Sequence, residues 1–333
     1  MTSPDSVAAP LLSIDQIRDA AEKIRSYVHR TPLVHSTTLS DELGAAVHLK
    51  LECLQKTGSF KPRGAFNKLL SLTAEERRRG VVGVSGGNHA QGLAFAARQL
   101  GVRATICMPA TTPQNYLSAT EGYGAEIVLA EDIRAAFEAA ERYRSEGAVI
   151  VHPFDDPWVA SGQGTVALEI LEDLPNVSRI YISIGGGGLI AGMAAALRER
   201  RPEIHIVGVE TRGADVMARS VAAGELVEMP AITSIARTLG APKASAMTFH
   251  HVRSLVDELV VVEDDEAVEA MRFLLERTKT LVEPAAACCL AAARRQQADL
   301  TPDDSVAILL CGGNVSVADL IRFCGDGEGS ART

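Results

Sequence analysis

The feature that most constrains the fold is a recurring unit: a short apolar run, then small residues, then a helical pattern. It appears at "VSGGNHAQG" (84–92), "SIGGGGLIAG" (183–192) and "LLCGGNVSVADL" (309–320). Units of this kind read as strands feeding helices, and in open α/β sheets ligands gather at the carboxyl ends of the strands. Further strand-like runs are "VHLKLE" (47–52), "VVGVS" (81–85), "RATICM" (103–108), "AEIVLA" (125–130) and "AVIVH" (148–152). Later ones are "RIYISI" (179–184), "IHIVGVE" (204–210), "ELVVVE" (258–263) and "SVAILLC" (305–311). Amphipathic stretches such as 89–100 and 133–147 separate them. The alternation predicts an α/β chain with mainly parallel sheets. At 333 residues the chain is long enough for two domains of ordinary size.

Charge and cysteine usage narrow the function. The net charge is -9 and no basic block stands out, which argues against a nucleic-acid or anionic-membrane surface. No apolar run reaches membrane-spanning length, and "MTSPDSVAAP" lacks the basic and apolar regions of a signal peptide. The six cysteines form no CxxC pair and read as reduced thiols of a cytoplasmic protein. The eight histidines show no metal-ligand spacing.

Glycines at strand ends let a backbone approach a ligand, and the following helix N-terminus offers free N–H groups to an anion. Four in a row, Gly185, Gly186, Gly187 and Gly188, are hard to explain by packing alone and suggest a phosphate cradle. The segment Gly186-x-Gly188-x-x-Ala191, with Glu210 ending the next strand, also fits a dinucleotide fingerprint. A nicotinamide oxidoreductase is therefore a rival reading, but it leaves "SFKPRGA", "SGGNHAQG" and "CGGN" without a role.

In "TGSFKPRGAF" (57–66) a lysine stands just before a proline. Pro62 is favoured in a first helical turn, so a helix is predicted over Arg63–Leu72. Residues before proline avoid the α region, so Lys61 reads as the last extended residue. A cation there is either a tolerated surface charge or an amine kept neutral among donors and apolar groups.

Taken together, "KTGSFKPRGA", "SGGNHAQG", "GQGT", "GGGGLIAG", "VEP" and "CGGN" resemble, in order, the pyridoxal-phosphate enzymes of the tryptophan-synthase β fold, fold type II. Within these the chain is similar to the serine/threonine dehydratase and serine racemase branch, from about Leu12 to Cys324. The resemblance implies that Lys61 holds the cofactor aldehyde and that Phe60 packs near its ring. It gives Asn88 the ring hydroxyl, Gly185 to Gly188 and Leu189 the phosphate, Glu283 a place at the cofactor and Cys311 the pyridine nitrogen. Ser85 and the backbone around Gly86, Gly87 and His89 match the loop that binds the substrate carboxylate. The implied reaction is β-elimination from a β-hydroxy amino acid such as L-threonine or L-serine, giving a 2-oxo acid and ammonia.

The departures matter too. Racemases of this branch carry a serine where this chain has Gly86. Many relatives bind a cation after the strand matching "VGVE"; Glu210 and the Ala214 carbonyl fit, but the third place is Val216. The alternative for Glu210 is a structural carboxylate at a strand end. Arg237, in "ARTLG", replaces an acidic residue and suggests either a grip on an acidic side chain, as in 3-hydroxyaspartate, or a surface arginine. Tyr116 and Glu121 stand at places usually basic; Tyr116 suggests either an entrance shaped for bulkier substrates such as an aryl-serine, or a neutral surface change. By resemblance the chain forms a large cofactor domain (1–66 and 152–333), a small mobile domain (67–151), disordered ends (1–10 and 325–333) and a homodimer.

Overall fold

The computed structural model describes residues 10–325. The predicted disordered ends thus lie outside the described residues, except for Pro10 and Gly325. The strands are β1 (Leu33–His35), β2 (Ala46–Lys50), β3 (Val81–Val84), β4 (Ala104–Pro109), β5 (Glu126–Ala130), β6 (Val149–Ile150), β7 (Arg179–Ser183), β8 (His205–Thr211), β9 (Glu258–Val262) and β10 (Ser305–Leu309). The helices are α1 (Ile14–Ile24), α2 (Thr37–Leu43), α3 (Lys61–Ser71), α4 (Ala74–Arg79), α5 (Asn88–Leu100), α6 (Gln114–Gly122) and α7 (Ile133–Ser145). They continue with α8 (Pro157–Asp173), α9 (Gly188–Arg200), α10 (Val216–Ala223), α11 (Ala246–Leu255), α12 (Asp264–Arg277), α13 (Pro284–Arg295) and α14 (Val317–Cys324).

Two sheets result. A six-stranded sheet runs in the order β1-β2-β10-β7-β8-β9, and a four-stranded one in the order β5-β4-β3-β6. Every pairing is parallel except β1 with β2. Strands covered by helices on both faces read as unbroken apolar runs, and all five residues of β10 are buried. β5 sits at an edge, and its residues are exposed or half-buried. β1 has only three residues, too few for a strand pattern, and the sequence reading missed it.

The region between the sheets is built on close helix crossings. A Cβ on Gly162 of α8 would lie 2.6 Å from the Arg63 carbonyl of α3. One on Gly164 would lie 2.6 Å from the Gly192 carbonyl of α9, and one on Gly192 would run into Ala160. The "GQGT" motif is therefore a helix-packing device. α3 straddles the two units: Ala65, Phe66 and Leu69 join the core under the small sheet, and Phe60 the core of the large one.

The start of α3 corrects the sequence reading. Lys61 is the first helical residue, and Phe60 before it is already in the α region (φ -60°, ψ -17°). The extended residue is Ser59 (φ -162°, ψ 164°). Ser59 forms a bridge with Gly312, and Phe60 N–H donates to the Cys311 carbonyl at 3.1 Å. These contacts with the segment after β10 set the chain direction, and they override the local bias against a helical residue before proline.

Candidate active site

A cavity of about 860 Å3 opens between the two sheets, at the upper end of the range for small-molecule sites. The carboxyl ends of β3, β7 and β10 feed it through Ser85, Gly185 and Cys311. Five helices begin at its edge without a side-chain cap on their N–H groups: α3, α5, α6, α9 and α13. Their N-terminal donors make the lining electropositive.

Lys61 borders this cavity and is half-buried. Its Nζ donates to the Pro153 carbonyl at 2.9 Å and lies 5.0 Å from the centre of the Phe60 ring. Burial pushes its amine down to about 8, against the opposing pull of Glu283. A lysine in this state is available as a neutral nucleophile near neutral pH.

Opposite lies a buried polar chain. Asn88 Nδ2 donates to Glu283 Oε1 at 2.8 Å, and Thr238 Oγ1 donates to the same oxygen at 2.8 Å. Asn314 Nδ2 donates to Asn88 Oδ1 at 2.8 Å and to the Thr57 carbonyl at 2.7 Å. Burial raises the Glu283 carboxyl to about 7, and its Oε2 is buried without a partner. A buried polar atom without a partner fits a site that accepts a further polar group. Thr57 sits at φ +64°, a left-handed backbone that is uncommon outside glycine. The sequence offered no signal for it.

Cys311 is a neutral thiol. Burial raises it well above the usual thiol range; Ser183 Oγ donates to its sulfur at 3.3 Å, and the sulfur contacts the Ala285 carbonyl at 3.7 Å. Ser85, Gly86 and Gly87 line the cavity just before α5, and Ser85 Oγ accepts from Gly87 N–H at 3.1 Å. The His89 imidazole instead pairs with the Val151 carbonyl at 2.9 Å. Burial pushes it down to about 3, so it is neutral, and its backbone belongs to the first turn of α5.

The glycine run revises the sequence argument: packing does account for it. A Cβ on Gly186 would run into the Phe154 ring, and one on Gly188 would lie 2.9 Å from Phe154 Cα. One on Gly185 would sit 3.1 Å from Leu239 backbone, and Gly187 (φ +92°) faces Thr248. What the loop offers a ligand is the free amides of Gly188 and Leu189 at the start of α9.

Other singled-out residues lie as follows. Both Glu210 oxygens accept helix amides, from Met217 at 2.9 Å and Ala218 at 2.7 Å. Asp215 accepts from Gly213 N–H and pairs with Arg219. Among the described residues no group of three or more His, Cys, Asp or Glu is placed to hold a metal ion. These contacts fit the structural alternative for Glu210: the carboxylate caps α10. The same contacts turn both oxygens toward the start of α10 and not toward a ribose, as the dinucleotide reading would need. Arg237 is exposed and borders the cavity from a 3-10 turn, Arg237–Leu239. Tyr116 is no surface change: it is buried, and its hydroxyl donates to the Asn314 carbonyl at 2.5 Å.

Comparison with known proteins agrees with this geometry. The model of the family described as "Pyridoxal-phosphate dependent enzyme" matches residues 24–312. An L-threonine ammonia-lyase of Geobacter sulfurreducens is 45% identical over 92% of this chain and 77% of its own length. One of Thermotoga maritima is 41% identical over 95% of this chain and 79% of its own. Among solved structures, maize serine racemase superposes with a TM-score of 0.89 at 38% identity, covering 94% of this chain and 97% of that one.

Proposed function

The chain belongs to the pyridoxal-phosphate-dependent enzyme family, and on that premise we propose that it is an ammonia-lyase for a β-hydroxy amino acid such as L-threonine or L-serine. The net reaction converts the amino acid to a 2-oxo acid and ammonia; the water lost in elimination is regained in hydrolysis. Pyridoxal phosphate, when bound, supplies the aldehyde that engages the substrate amine and the conjugated ring that acidifies its α-proton.

The observation that carries the reading is the half-buried Lys61, with its amine lowered to about 8. Lys61 Nζ would hold the cofactor and, as a free amine, would take the substrate α-proton. The Pro153 carbonyl, 2.9 Å away, keeps that nitrogen aimed into the cavity. The substrate carboxylate is held by Ser85 Oγ and the free amides that open α5 at Asn88 and His89. The amides at Gly186 to Leu189 would hold the phosphate, and the Asn88 amide, oriented by Glu283 and Asn314, would serve the ring hydroxyl. The neutral Cys311 thiol would be the partner of the ring nitrogen and would not protonate it, which elimination tolerates because the leaving hydroxyl takes the electrons.

Gly86 supports a lyase over a racemase. It brings no hydroxyl to serve as an acid or base on the opposite face, and a Cβ there would lie 2.6 Å from Thr112 Oγ1. The unit 67–151, with the four-stranded sheet, acts as the smaller moving domain, and 1–66 with 152–333 as the larger one. We further propose a homodimer in the cytoplasm, testable by light scattering; among the described residues no helix is long and apolar enough to cross a membrane. Incubation with L-threonine and assay of 2-oxobutanoate tests the reaction, with Lys61→Ala as the inactive control.

A further inference from the structure

Resting on the lyase reading above, we propose that Phe137, His152 and Phe154 form a wall selecting β-hydroxy amino acids with a large apolar or aryl β-substituent. The wall starts at the reacting centre. Lys61 Nζ bonds the Pro153 carbonyl, so His152 and Phe154 flank the residue that holds the lysine. His152 Nδ1 accepts the N–H groups of Phe154 at 3.3 Å and Asp155 at 2.8 Å, which locks this turn. The Phe154 ring meets the His152 ring edge-on at 4.6 Å, and Phe137 stacks with that ring at 6.0 Å and 27°. Burial lowers the His152 pKa, so its ring is uncharged at neutral pH.

The far end of the wall is open. Phe137 is 38% exposed and Ile133, one turn earlier on α7, 39%, yet both line the cavity. Exposed apolar side chains at a cavity mouth are sites where an apolar ligand group removes surface from water. On the substrate's α-carbon, the carboxylate is assigned to the start of α5, the amine to the cofactor and the α-proton to Lys61. The β-substituent is the remaining group, and the turn His152–Phe154 borders the lysine there. The competing choice is an acidic side chain held by Arg237, which lies on a different segment of the lining.

The test uses the holoenzyme and unreactive amino acids that perturb its visible cofactor band: L-alanine, L-phenylalanine and L-aspartate. The expected result is a dissociation constant at least tenfold lower for L-phenylalanine than for L-alanine or L-aspartate. That gap should shrink several-fold in both Phe137→Ala and Ile133→Ala. The two positions are partly exposed, so truncation leaves the core filled, and thermal melting confirms the fold. In turnover, kcat/KM for L-threo-3-phenylserine should exceed that for L-serine. Equal dissociation constants, with L-threonine still turned over, would overturn the wall alone. Tighter binding of L-aspartate, abolished by Arg237→Ala, would overturn it in favour of an acidic side chain. No band change together with no 2-oxo acid from L-threonine would overturn the lyase reading and the wall with it.

Discussion

The Arg63 guanidinium forks onto the Glu52 carboxylate, Nε to Oε2 at 2.8 Å and Nη2 to Oε1 at 2.7 Å, with both side chains fully buried two residues from Lys61. Arg63 also grips Glu169, which in turn holds the buried Lys50 at 2.6 Å. Two cations and two carboxylates thus tie β2, α3 and α8 together beneath the cavity. Arg63→Met should destabilise the protein by about 3–5 kcal/mol, because it leaves the buried Glu52 carboxylate without its cation and Glu169 with Lys50 alone. Urea denaturation checks this. Burial alone would raise the Glu52 carboxyl, but Arg63 outweighs it and holds the group below its ordinary value. Stability from that depressed pKa is present above the ordinary carboxylate range and lost as pH falls through the folded value. Acid unfolding should therefore be steeper in the wild type than in Arg63→Met.

Gly186 faces the Phe154 ring with no space for a methyl group. Gly186→Ala should weaken cofactor binding by roughly tenfold to a hundredfold, the cost of overpacking by ~1–3 kcal/mol. In the double variant Gly186→Ala/Phe154→Ala much of that loss should return. Equilibrium titration with pyridoxal phosphate measures both. Strict additivity of the two substitutions would show that the ring contact is irrelevant to binding.

Tyr116 reaches from α6 to the Asn314 carbonyl, 198 residues away, and Asn314 orients Asn88. Burial raises its pKa, so the hydroxyl remains a donor. Tyr116→Phe should cost about 1 kcal/mol, or roughly fivefold in cofactor affinity. The same titration reads it, and an unchanged affinity would separate this contact from the site.

The Lys61 amine, lowered to about 8 by burial, sets a pH dependence. In the apoenzyme its neutral fraction grows tenfold per unit below that value and is saturated above it. The rate at which added pyridoxal phosphate generates the visible band should rise with the same slope and level off above pH 8. Because the folded pKa lies below the lysine value of 10.5, its stability contribution is present above the unfolded pKa and lost as pH falls through about 8. A capture rate that climbs without a break to pH 10 would assign Lys61 an ordinary pKa.

The strand–small residue–helix units were readable because periodicity and glycine are local signals. "RIYISI" becomes β7, and the glycines after it open α9. The motifs "SGGNHAQG", "GGGGLIAG" and "CGGN" gathered at one cavity because each follows a strand of a parallel sheet. What could not be read depends on contacts distant in sequence. Lys61 is helical because Phe60 is pinned to Cys311, and Gly186 is glycine because Phe154 packs on it. Glu210 caps a helix that follows it, a role its own strand pattern does not reveal. β1 was invisible because three residues carry no period.

The most direct measurement is the visible absorption spectrum of the purified protein before and after adding L-threonine, with 2-oxo acid assayed in the same cuvette. The expected result is a cofactor band that shifts on addition while 2-oxobutanoate accumulates, both absent in Lys61→Ala. No band, even after pyridoxal phosphate is supplied, would contradict the role of Lys61 and the lyase reading built on it.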